Sequence, residues 1–415
     1  MTAGDLYLSA VLLILIGGYA ADLFIGKLDV SCASPVLPAE FEGYYDAEKY
    51  RKSQSYHRTK ILFGLAKSAV YTLGAVVFIL AGWFDLIDRF ARSLQQGTVV
   101  TGLIFTGILC LIYLIFSIPF DAYRTFVIEE EYGFNRTTPR IFVTDIFKNL
   151  LVGMILGAAV LSVIFWFFNV SGSWAWSYAW AAVTALQFII MFIAPVAIMP
   201  LFNKFTPLKE GELKTAINDY ARAQDFRIRG IYTMDASRRS AQSNAFFTGF
   251  GRYKRVVLYD TLVAQMKTDE LVAVLAHEIG HYKHRDIFKS IAVMTAGSGL
   301  MFFALSFFIN NKDFFGAFKM GNTSVYAGLF LFTFLYQPVH ELLSVGVHYM
   351  SRRFEILADR FSVVTYKKPE AMISALKRLS VENLSNLTPH PLKVALCYSH
   401  PPVLTRIEAI RLAAG

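Results

Sequence analysis

The chain has 415 residues, of which 55% are hydrophobic and 17% charged, with 37 Phe and 21 Tyr. Its mean hydropathy of +0.44 and its apolar content exceed those of soluble domains, at about 45–50% apolar with Gly counted, which excludes an ordinary soluble enzyme. The net charge of +9 comes without a basic repeat or recognition module, so no nucleic-acid partner is expected.

Seven apolar runs approach the roughly 20 residues that cross a bilayer as a helix. They fall at 6–25, 61–84, 98–120, 149–170, 175–202, 287–309 and 322–347. The first begins at Asp5 without a basic segment before it, so a span is expected there rather than a cleaved signal. Orientation follows from the basic residues of the short loops. Loop 27–60 carries six (Lys27, Lys49, Arg51, Lys52, Arg58, Lys60) and loop 121–148 carries four, whereas 85–97 and 310–321 carry two each. This bias puts the N-terminus outside and the C-terminus in the cytoplasm. The three cysteines, Cys32, Cys110 and Cys397, are far apart and suggest neither a disulfide framework nor a thiolate metal site.

Two polar stretches, 204–286 and 351–415, interrupt the apolar pattern, and both are expected on the cytoplasmic side. The organisation read from this is a five-helix membrane region (1–203), a catalytic region (204–286), spans six and seven (287–350) and a helical C-terminal region (351–415). Within the first polar stretch, "IRGIYTM", "SNAFFTG" and "KRVVLYD" read as short strands separated by turns. Thr268 is then placed to cap a helix with Asp269 and Glu270 in its first turn and apolar residues at 271, 274, 275 and 279.

That helix carries "LAHEIGHYKHRD", residues 275–286, which holds three of the eight histidines. His277 and His281 are i and i+4, so both imidazoles project from one face and can reach one metal. Glu278, one position round, is placed to take a proton from an attacking water without ligating. A tetrahedral catalytic zinc site needs a third protein ligand and one open position. Glu355, with Asp359 one turn later on the same face, offers that ligand; so do His340, Glu341 and His348 in the last apolar run. Spacing alone leaves these alternatives open.

Five blocks in order resemble the CAAX prenyl protease 1 family of membrane zinc metalloproteases. They are "RSAQSNAFFTGF" (239–250), "KRVVLYDTL" (254–262), "LAHEIGHYKHRD" (275–286), "SRRFEILAD" (351–359) and "YSHPPVLTRIEAI" (398–410). The resemblance covers essentially the whole chain. It implies a mostly α, polytopic fold: seven transmembrane helices around a water-filled chamber, with a small β-sheet and helices forming a zincin-like catalytic region on the cytoplasmic side. His340 and Glu341 would then line the chamber.

The resemblance implies one Zn²⁺ per chain on His277, His281 and Glu355. Asp359, and likewise Asp286, would orient an imidazole through its free N–H. Glu278 would be the general base, His400 a catalytic donor beside the zinc, and Asn244, Ala245, Phe246 and Arg406 substrate-binding groups. The "AFFTGF" stretch is expected as an edge strand that pairs with an extended substrate. The activity implied is zinc-dependent endopeptidase cleavage that removes the C-terminal tripeptide of prenylated proteins, by a monomer in the bilayer. No signal marks the chain as eukaryotic, and a bacterial homologue is expected. The membrane would be the inner membrane in a bacterium, or the endoplasmic reticulum in a eukaryote. In an organism without prenylation, quality control of membrane proteins is the alternative role.

Overall fold

The computed structural model describes residues 2–34, 36–249 and 254–415. Phe250, which ends one of the five sequence blocks, lies outside them. Among the described residues six helices are long and apolar enough to cross a bilayer. They are α1 (Ala3–Ser31), α2 (Ala47–Leu80), α3 (Thr98–Glu131), α4 (Pro139–Val170), α5 (Gly172–Phe202) and, after the intervening helix α6 (Thr268–Lys283), α7 (Asp286–Ser306). Between 0% and 22% of the apolar window of each span is buried inside the protein. Most apolar side chains on these helices therefore face surroundings other than the chain itself, as helices in lipid do.

The seventh apolar run lies in α8 (Val325–Tyr366), a single helix of 42 residues, about 63 Å long at 1.5 Å per residue. It is absent from the six because Gln337, His340 and Glu341 interrupt its apolar first half. Ser324 caps its start by accepting from the Ala327 N–H, and the chain leaves the helix only at Lys367, in the left-handed region at φ 55°. The division expected between residues 350 and 351 therefore falls inside continuous helix. Nothing in "YMSRRFEILAD" breaks the backbone, so the helix runs from its apolar half, past the internal Pro338, directly into its polar half. Helices α9 (Pro369–Glu382) and α10 (Val403–Ala414) pack beside its far end.

A four-stranded mixed sheet follows the fifth span: β1 (Phe205–Pro207), β2 (Gly230–Met234), β3 (Ala245–Thr248) and β4 (Arg255–Tyr259), in the order β1-β2-β4-β3. β2 and β4 are parallel; β1 and β3 are antiparallel to their neighbours and form the two edges. The three expected strands are β2, β3 and β4. Helix α6 lies beneath the sheet, with Leu271, Leu275 and Ile279 in a cluster with Ile217, Ile231, Val256 and Leu258. From Glu270 to Gly280 it is buried except at Glu278, so His277 lies within protein while Asp269 and Lys283 near its ends are exposed. Its start lies one residue before the sequence reading: Lys267 is the cap, and the Glu270 carboxylate accepts from the Lys267 N–H at 2.8 Å.

Candidate active site

Helices α6 and α8 meet at Gly280. A β-carbon there would lie 3.0 Å from Cα and 3.2 Å from the carbonyl oxygen of Ala358, so only glycine allows this approach. The closeness brings one face of α8 onto the two histidines. His277 Nε2 and His281 Nε2 lie 3.2 Å apart with their rings at 88°. Glu355 Oε1 lies 3.2 Å from His281 Nε2, and Oε2 lies 3.5 Å from His277 Nε2. These three side chains are the group among the described residues whose donor atoms converge on a common point. Of the other candidates for third ligand, His348 Nδ1 donates to the Leu396 carbonyl at 2.8 Å, and His340 and Glu341 are exposed on α8. None of them joins the cluster.

The donor set fits zinc. Tetrahedral bonds of about 2.0–2.2 Å place neighbouring ligand atoms roughly 3.3 Å apart, close to the 3.2 and 3.5 Å separations present. Glu355 Oε2 is buried without a hydrogen-bond partner, with Arg406 Nη1 at 3.2 Å as its counter-charge, so it has room to accept a bound cation as well. The far nitrogens of both rings are engaged. Asp359 Oδ1 lies 2.8 Å from His277 Nδ1, and Asp286 Oδ2 lies 3.0 Å from His281 Nδ1. Each carboxylate thereby turns the ring so that Nε2 points at the common centre.

Arg406, from α10, lies behind this centre. Its Nη2 and Nε donate to the two carboxylate oxygens of Asp359 at 2.7 and 2.8 Å, and its Nη1 lies 3.2 Å from Glu355 Oε2. The guanidinium is thus committed to the two carboxylates of α8. Asp359 is fully buried, so Arg406 supplies the charge that burial would otherwise make expensive. Burial opposes ionisation of Glu355, yet the His281 hydrogen bond and the Arg406 charge hold it at about 2. Against burial, hydrogen bonds to Glu355 and Asp286 and the charge of Glu278 push His281 up to about 9. Burial pushes the Glu278 carboxyl up, with Glu355 adding to the rise. Four carboxylates (Glu278, Glu355, Asp286, Asp359) thus face two fixed cations, Arg406 and Lys289.

A cavity of about 740 Å³ opens over the cluster, lined among others by His277, Glu278, Glu355 and His400. His400 Nε2 lies 3.4 Å from Glu355 Oε1, while its Nδ1 faces the Ser399 hydroxyl at 2.9 Å. Desolvation in the cavity, with the nearby Arg406 and histidine charges, lowers the His400 pKa against the pull of Glu355. Pro401 and Pro402 fix the backbone after it. Asn244 and Ala245 line the same cavity at the start of the edge strand β3. The Asn244 side-chain oxygen accepts from the Ala245 N–H at 2.8 Å, and its carbonyl accepts from Tyr259 at 3.1 Å. Phe246 points the other way, into a cluster with Met234 and Val257. Its backbone is opposite Val257 and, like that of Asn244 two residues before, is turned to β4, so Phe246 does not meet a strand added at the open edge as the sequence reading expected; Ala245 and Phe247 present their backbone there. Sequence reasoning did not single out Tyr56, His57 or Lys60, which line the cavity from α2. Their one signal is a polar i, i+1, i+4 set at the foot of an apolar run.

Comparison with known proteins adds the following. Residues 28–204 match the family model "CAAX prenyl protease N-terminal, five membrane helices", and residues 207–414 match "Peptidase family M48". A CAAX prenyl protease 1 homolog of Arabidopsis thaliana is 36% identical, covering 91% of this chain and 90% of that protein. CAAX prenyl protease 1 of Saccharomyces cerevisiae is 33% identical, covering 90% of this chain and 88% of its own length. The crystal structure of S. mikatae Ste24p superposes with a TM-score of 0.93 at 30% identity, covering 97% of this chain and 99% of that one.

Proposed function

Because this chain belongs to the CAAX prenyl protease 1 family of M48 peptidases, a family of membrane metallopeptidases, we propose that it removes the C-terminal tripeptide of prenylated proteins. The observation that carries the chemistry is the convergence of His277, His281 and Glu355 beside Glu278. We assign the first three as ligands of a single zinc ion and Glu278 as general base. When bound there, zinc supplies Lewis acidity to the scissile carbonyl and acidifies the attacking water.

Glu278 takes a proton from that water at its carboxylate and passes it to the leaving amine. Its raised pKa makes the carboxylate a stronger base for the first of these transfers. Asp359 and Asp286 hold the imidazoles in place, and Arg406 keeps Asp359 charged and fixed. His400 Nε2 is positioned to donate to the oxyanion that develops on the substrate carbonyl. The open edge of β3 at Ala245, with the Asn244 side chain beside it, offers the extended substrate a strand to pair with.

In the bilayer, α8 completes a seven-span arrangement, with the apolar half in lipid and the catalytic half in the cytoplasm. His340 and Glu341 then face a water-filled interior, since ionisable groups facing lipid are costly. The basic excess of loops 27–60 and 121–148 supports the cytoplasmic side. The purified chain, in detergent, should cleave a farnesylated C-terminal peptide and release its last three residues, detected by mass spectrometry. Chelation should abolish the cleavage and zinc restore it. Cleavage of unprenylated internal sequences, with the farnesylated peptide left intact, would refute tripeptide removal and favour a quality-control role.

A further inference from the structure

The catalytic cavity contains a cation that the chemistry above does not use. Of the Lys and Arg side chains lining it, Arg406 is spent on Asp359 and Glu355. Lys60, on α2, is the other. Its ammonium rests over the Tyr56 ring, 4.7 Å from the centroid, and no carboxylate among the described residues forms an ion pair with it. Glu129, the acidic group that acts on it electrostatically, is engaged elsewhere. It accepts from the Tyr56 hydroxyl at 2.9 Å and faces Arg124 at 3.6 Å. An ammonium exposed to a cavity and held on an aromatic ring, without a counter-ion, is available to an anionic ligand.

Its position relative to the edge strand gives that ligand an identity. The chain just before β3 is anchored near α2: Ala241 N–H donates to the Phe134 carbonyl, and the Phe134 N–H donates to the Glu129 carbonyl. Gln242 and Asn244 line the cavity together with Lys60. A peptide adding antiparallel to β3, as β4 does on its other side, runs from the Thr248 end toward Ala245. Its C-terminal residues then continue past Asn244 toward Gln242 and Lys60. The part that leaves after cleavage is three residues, about 10 Å when extended, and it ends in a carboxylate.

We propose that Lys60 receives the α-carboxylate at the C-terminus of the substrate, and so measures where the scissile bond falls. This rests on the tripeptide-removal reading above. The discriminating experiment uses two farnesylated peptides of one sequence, one ending in the free acid and one in the carboxamide, with the purified full chain. The wild type should prefer the acid by about 10- to 100-fold in kcat/KM, the usual worth of one charge-assisted contact. Lys60→Met should erase that preference by weakening the acid substrate, with the amide substrate cleaved as before. Lys60→Arg should keep most of it. Equal cleavage of acid and amide by the wild type would overturn the assignment while leaving tripeptide removal intact. So would a Lys60→Met variant that still prefers the acid, or one that loses both substrates equally at unchanged Tm. Failure to cleave either farnesylated peptide would instead overturn the function reading, and this proposal with it.

Discussion

Gly280→Ala perturbs the site without touching a single proposed ligand. The new methyl would lie 3.0 Å from Ala358 Cα, 3.1 Å from Phe361 Cβ and 3.2 Å from the Ala358 carbonyl oxygen. Carbon atoms pack at about 3.5–4.0 Å, so α6 and α8 must part by roughly half an ångström. Two of the three opposing atoms are backbone, which cannot swing aside. Overpacking of this kind costs about 1–3 kcal/mol, and the gain of Ala over Gly in a helix returns about 1 kcal/mol. The fold should therefore survive with a modestly lower Tm. The metal site should suffer more, because zinc–ligand distances tolerate only about 0.2 Å, and Glu355 rides on the helix that is pushed away. Zinc affinity, measured by competition with a chromogenic chelator, should fall at least about 10-fold, with kcat falling alongside. Gly346→Ala is the control: it lies on α8, the helix that carries Glu355, with nothing within 4 Å of the added methyl, and should change neither. A Gly280→Ala protein with wild-type zinc affinity and kcat would refute the idea that this contact sets the ligand spacing.

Three further outcomes are expected. Purified protein should carry about one zinc per chain by elemental analysis, and His277→Ala, His281→Ala and Glu355→Ala should each lose most of it; full zinc in Glu355→Ala would remove Glu355 from the ligand set. His400→Ala should keep its zinc and Tm yet lose about 10²–10³-fold in kcat, the usual effect of deleting one oxyanion donor. A lower Tm with kcat preserved would make His400 structural instead. Reporters fused after residues 60, 140 and 415 should read cytoplasmic and one at 315 external, a pattern that a cytoplasmic signal at 315 would contradict.

The parts of this molecule that repeat along the chain were legible in the sequence. Six of the seven apolar runs are helices able to span a bilayer, because length and hydropathy are local properties. The i, i+4 histidines were legible for the same reason: one helix places both. Glu355 was not separable from His340, Glu341 and His348 by spacing, since the choice depends on how α8 lies across α6. That crossing is fixed by the contact of Gly280 with Ala358, which no local pattern displays. The orientation of Phe246 was missed because a short edge strand alternates its side chains between two faces, and the sequence does not say which one is the cavity. Lys60 was counted only as a basic loop residue. Its place beneath the site depends on α2 starting at Ala47, well before its apolar run, which carries a polar helical turn into the cavity wall.

The central claim is that Glu278 moves the proton in hydrolysis assisted by a metal it does not hold. Glu278→Gln tests this most directly, since the amide keeps the size of the side chain but cannot accept the water's proton. Zinc content, Tm and turnover of the farnesylated peptide should be measured on one preparation. The account predicts wild-type zinc, a Tm unchanged or slightly raised because a buried carboxyl has been neutralised, and turnover reduced by about 10²–10⁴-fold. Turnover near wild type at neutral pH, with zinc bound, would contradict it.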